Sequence, residues 1–168
     1  KLEASEARVL FSYYTGGTTS FGDKIEAQVD SMRREGLDVN AMVIPRASGF
    51  GAGIEVYPPW RGPLWYEQLP MDLDNRLIMI KDPQLAGRLI KYAKANEPIV
   101  PAEHIYHLVS EEYPDYVSVS EQSLAALADK NLEYPSETFI RMSLENNGKA
   151  LFKLRALNRN LEAVAKAI

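Results

Sequence analysis

Cysteine is absent from this 168-residue chain, and histidine and tryptophan occur only twice each. Without cysteine there is no thiol nucleophile, no disulfide framework, no thiolate zinc site and no iron–sulfur cluster. That absence suits a cytoplasmic location without requiring it. No apolar run approaches the ~18 residues of a membrane span, so a membrane partner is not expected. Lys1-Leu2-Glu3-Ala4-Ser5-Glu6 has no apolar signal core, and the first residues read as left by cloning or processing. Basic charge is also short: 19 Lys and Arg face 23 Asp and Glu, a net charge of -4. Coating nucleic acid depends on cations that replace phosphate counterions, so this balance argues against it as the main task while leaving room for local basic patches.

The chain is 46% hydrophobic. At this length roughly 70% of the unfolded surface is buried on folding, enough for one sizeable core. We therefore expect a single domain over 1–168, with a sub-division into an α/β body (1–81) and a half made of helices and a β-hairpin (82–168). Residues 8–14 (RVLFSYY) read as a buried strand that stops at Thr15-Gly16-Gly17-Thr18-Thr19. Phe21, Ile25, Val29 and Met32 then recur at helical spacing, with Ser20 as N-cap and Gly36 as the left-handed stop. Residues 39–45 (VNAMVIP) form a second apolar run, so the order is strand, helix, strand, and the crossover favours parallel pairing.

Further along, residues 48–53 read as a flexible glycine segment, 54–57 as a short strand and 57–70, with four prolines, as irregular chain. Residues 76–81 (RLIMIK) read as a core strand. Helices are expected after Asp82-Pro83, after Pro101 and after Ser120. Alternation over 139–145, the Asn146-Asn147-Gly148 turn and residues 150–154 (ALFKL) spell a β-hairpin, and 157–168 a closing amphipathic helix. The fold class is α/β, with an N-terminal βαβ unit in a partly parallel sheet and an α+β C-terminal half ending in a β-hairpin and a helix.

The segment Thr15-Gly16-Gly17-Thr18-Thr19-Ser20-Phe21-Gly22 joins the first strand to the first helix. Glycines admit close approach of an anion, hydroxyls add donors, and the free amides of a helix start complete a phosphate cradle. Its plain alternative is a turn that only reverses the chain. The loop resembles the T-G-x-x-x-G-x-G turn of short-chain dehydrogenases, matching at Thr15, Gly16 and Gly22, with Ser20 in place of the middle glycine. The resemblance implies a dinucleotide, and Arg46, past the second strand, implies its 2′-phosphorylated form. No tyrosine here is followed four positions later by lysine, so that family's catalytic pair is missing. The loop is also similar to the FMN phosphate turn of flavodoxins and of ribonucleotide reductase flavodoxin-like proteins, matching at Phe11, Thr15, Gly16 and Thr18, with Tyr13 where they carry serine or threonine. Neither similarity runs beyond about residue 46.

Other features offer rival chemistry. Residues 57–70 hold Trp60 and Trp65 beside Tyr57, Tyr66 and Arg61; they could stack a flavin, base or sugar, anchor a homo-oligomer, or cover a sheet edge. Asp72 and Asp74 resemble the aspartate pair of glycosyltransferases, but a solvated turn explains them as well, and His104 and His107 lack a second ligand element. No metal is expected. Residues 137–168 carry six basic against three acidic side chains, so this end is +3 and the remainder -7.

The leading expectation is binding of a phosphorylated small ligand, of nucleotide or FMN type, through Thr15, Gly16, Gly17, Thr18, Thr19, Ser20 and Gly22, with Arg46 or Arg61 on the phosphate and Trp60 over the ligand. No catalytic residue can be singled out, and whether the chain is an enzyme stays open. The alternative is a nucleic-acid-binding, protein-interaction or structural subunit working through residues 82–168, whose helices and basic hairpin resemble a winged-helix domain.

Overall fold

The computed structural model describes residues 8–15, 19–67, 71–108 and 117–166. Its elements run β1 (Val9–Tyr13), α1 (Thr19–Arg34), β2 (Val39–Val43), β3 (Ser48–Ala52), α2 (Pro63–Tyr66), α3 (Leu73–Lys81), α4 (Pro83–Ala95), β4 (Ile105–His107), α5 (Leu124–Asn131), α6 (Pro135–Glu145), β5 (Phe152–Leu157) and α7 (Leu161–Lys166). Single 3-10 turns precede β4 and α5. The fold is mixed α/β. Two units divide the chain: residues 1–48 with 156–168, and residues 49–155. No helix among the described residues is long and apolar enough to cross a membrane.

The first unit contains the βαβ element that the sequence spells. β1 and β2 pair in parallel, Val9 opposite Val39 through Tyr13 opposite Val43. α1 buries Gly22 and Val29 and half-buries Ile25 and Met32, the i, i+3, i+4 pattern of a one-faced helix. It ends in a Schellman motif: the Gly36 N–H donates to the Arg33 carbonyl and the Leu37 N–H to the Met32 carbonyl, with Gly36 at φ 86°. The opposite face of the strand pair leaves Leu10 and Met42 exposed.

The second unit surrounds an aromatic core. Trp60 and Trp65 stack with ring centroids 5.2 Å apart, Phe139 meets both edge-on, and Phe152 lies 5.2 Å from Phe139. A three-stranded sheet in the order β3-β5-β4 supplies Phe152, with β4 and β5 antiparallel. α4 follows the sequence reading closely. Asp82 accepts hydrogen bonds from the Gln84 and Leu85 amides, Pro83 opens the first turn, and Leu89 and Ala93 are buried.

Several local expectations are corrected. Residues 76–81 are helix because Asp72 caps the chain ahead of them, accepting from the Asn75 amide at 2.9 Å. After Pro101 only one 3-10 turn forms before β4, which buries Ile105 against the sheet partner Leu154. α5 is capped by Ser123, whose hydroxyl accepts from the Ala126 amide, rather than by Ser120. Residues 48–52 are a strand, 54–57 are not, and α2 places one helical turn inside the proline-rich stretch, with Pro63 at its start.

The hairpin is the largest correction. Its first arm is helix α6, started by Pro135 and by Glu137, whose carboxylate accepts from the Tyr134 amide. Ser136, Phe139, Ile140 and Ser143 share its buried face, so the alternation over 139–145 is incidental. Asn147 and Gly148, at φ 51° and 81°, end the helix instead of reversing a strand. Positive φ serves either purpose, and burial decides. The final helix is confined to α7, because Asn158 and Asn160 interrupt the segment between it and β5.

Candidate functional site

The C-terminal ends of parallel strands are where open α/β units leave amides and helix starts free for ligands. In the first unit that edge is tied together by a residue from the far end of the chain. The Thr15 amide donates to the Asn158 side-chain oxygen at 2.9 Å, and the Asn158 amide group donates to the Ile44 carbonyl at 3.0 Å. Thr15 and Asn158 are both buried, and Asn158 adopts φ 53°, a conformation asparagine tolerates. One side chain thus links the segments that follow β1 and β2.

Arg159 is the next residue. Its Nε is buried and has no hydrogen-bond partner among the described residues. An unsatisfied buried donor on a charged group is costly, and an anion is the natural acceptor. Arg46 lies two residues beyond Ile44 and is exposed, with its own amide donating to the Ile44 carbonyl. Arg46 thus follows one of the segments that Asn158 joins, and Arg159 follows Asn158 itself.

The expected site residues divide. Thr15 is a buried anchor whose amide is already used. Gly16, Gly17 and Thr18 lie outside the described residues. Thr19 and Ser20 form the first positions of α1, and Gly22 is buried on its inner face. Trp60 is only 1% exposed and stacked on Trp65, so its ring covers no ligand, and neither indole offers area for an oligomer contact. Arg61 is exposed in the second unit.

No family model, no curated protein and no solved structure matches the chain. The likenesses to short-chain dehydrogenases and flavodoxins rest on a few residues between Phe11 and Arg46 alone.

Asn158 escaped the sequence reading, and Arg159 entered it only as one of the six basic side chains of 137–168. The signal for them is the Asn158-Arg159-Asn160 triplet inside a segment read as one helix, since asparagine favours caps and turns. Asn160 does cap α7, accepting from the Ala163 amide at 3.0 Å.

The rival features are mostly occupied by structure. Asp72 is a helix cap, and the Asn75 amide holds its carboxyl below the ordinary aspartate range. His107 sits on β4 with its ring 5.3 Å from Phe152, and burial lowers its pKa. No cluster of three metal-binding side chains occurs among the described residues. Two of the basic side chains of 137–168 are engaged within the fold: Arg141 pairs with Glu133 and Glu145, and Arg155 lies over the Tyr106 ring. With α6 in place of the hairpin's first arm, the basic wing is absent.

Proposed function

We propose that the first unit binds the phosphate of a small phosphorylated ligand, of nucleotide or flavin type, at the C-terminal edge of β1 and β2. The observation that carries this reading is the buried, unpartnered Nε of Arg159 beside the Asn158 tie. Support comes from the start of α1 at Thr19, close in sequence to that edge, and from the exposed guanidinium of Arg46. A helix start contributes partial positive charge, and guanidinium groups contribute fixed charge with fork geometry. The binding is electrostatic and needs neither base nor nucleophile.

Thermal unfolding against FMN, NADP, ATP and inorganic phosphate tests the reading. A ligand that binds only the folded chain stabilises it by about 2.7 kcal/mol at a hundred times its Kd. At least one compound is expected to raise Tm, with the shift abolished by Arg159→Ala and partly kept by Arg159→Lys. No shift with any of the four, or a shift that survives both Arg159→Ala and Arg46→Ala, overturns it.

A further inference from the structure

The second unit contains an open groove of about 480 Å3, lined chiefly by Phe50, Tyr57, Pro58, Arg61, Tyr66 and Ile99. That volume falls in the range of small-molecule sites. Its three aromatic side chains are accessible, Tyr57 63% exposed, Phe50 47% and Tyr66 37%, as is Tyr134 elsewhere in the unit at 38%, whereas Phe139, Phe152 and both tryptophans are buried.

The groove is held in shape by what lies next to its lining residues in the chain. Trp60, adjacent to Arg61, and Trp65, adjacent to Tyr66, are locked in the core stack. Pro58 is buried beside Tyr57, and the Ile99 amide donates to the Pro59 carbonyl at 2.8 Å. A surface fixed in this way loses little conformational entropy when a ligand binds.

Arg61 is the one charged residue among the described residues that line the groove. It is exposed and makes no hydrogen bond or ion pair among the described residues. A free guanidinium at the border of an apolar surface selects an anion, and the aromatic faces select a flat π-system. Polyanions are disfavoured, because residues 49–155 carry eleven basic side chains against fifteen acidic ones.

We propose that this groove is a binding site for a small planar aromatic ligand bearing one anionic group, a carboxylate or a phosphate. The ring lies against Tyr57, Tyr66 and Phe50, and the anion pairs with Arg61. Every described lining residue belongs to the second unit, so the site is tested independently of the Arg159 reading.

Calorimetric titration of the full chain with naphthoate, naphthyl phosphate and naphthylmethylamine tests it. At least one of the two anions is expected to bind, and the cation to bind about ten-fold more weakly than that anion. Arg61→Ala should remove this preference and Tyr57→Ala should weaken all three ligands; both residues are exposed, so neither change threatens the core. The ratio of naphthoate to naphthyl phosphate affinity distinguishes a carboxylate source from a phosphoryl one. The proposal is overturned if neither anion binds, if anion and cation bind equally, or if binding is unchanged in Tyr57→Ala and Arg61→Ala. It is likewise overturned if an acidic proline-rich peptide occupies the groove and neither anion displaces it.

Discussion

Leu132 is 96% exposed and adopts φ 55°, the left-handed conformation that a branched side chain resists. It occupies in α5 the position Gly36 occupies in α1. The Leu132 N–H donates to the Asp129 carbonyl and the Glu133 N–H to the Ala128 carbonyl, repeating the Schellman pattern. Nothing in the structure repays the strain, since the side chain packs against almost nothing. Leu132→Gly should therefore raise unfolding free energy by about 1 kcal/mol, the left-handed penalty less the extra freedom glycine gains when unfolded. Urea denaturation measures this, and a lower midpoint for the variant would show that the leucine side chain is itself stabilising.

The join between α5 and α6 depends on charge. Arg141 donates to Glu133 through Nε at 2.8 Å and Nη2 at 3.1 Å, and the Thr138 hydroxyl donates to the same carboxylate at 2.6 Å. The Arg141 hydrogen bond holds the Glu133 carboxyl below the usual glutamate range. The folded chain therefore takes up this proton less readily than the unfolded one. The stabilisation is complete above the ordinary glutamate pKa and disappears as pH falls through the lower folded value. Glu133→Gln should flatten the acid side of a plot of Tm against pH while leaving part of the slope to Glu137, which the Tyr134 amide and Lys94 also depress. An unchanged acid limb in the variant would remove the pair from the account. Elements were legible where one signal dominated. The spacing of Ile25, Val29 and Met32 in α1 and the Asp82-Pro83 start of α4 left no rival period. They were illegible where a local pattern fitted two structures. Ile140, Met142 and Leu144 alternate as in a strand, yet Pro135 and Glu137 start a helix, and tertiary burial of Phe139 and Ser143 chose between them. At the candidate site the sequence pointed to the segment after β1, but Asn158 lies 143 residues from Thr15, and no local pattern reports such a contact.

At the scale of the whole chain, residues 49–155 form one unit, while the other is assembled from 1–48 and 156–168. Both tryptophans are buried inside the continuous unit, so their emission reports that unit. A chain ending at residue 155 is expected to keep the blue-shifted fluorescence of the full protein and to lose amide-exchange protection in β1 and β2. Red-shifted emission from the shortened chain would show that the Trp60 and Trp65 core depends on the last residues. The Asn158 tie also imposes an order on biosynthesis. The residue that accepts from Thr15 and donates to Ile44 leaves the ribosome 143 residues after the first and 114 after the second. During translation β1 and β2 must wait with their ends unfastened while the intervening segment is made, and chaperones that bind nascent chains would meet them in that interval.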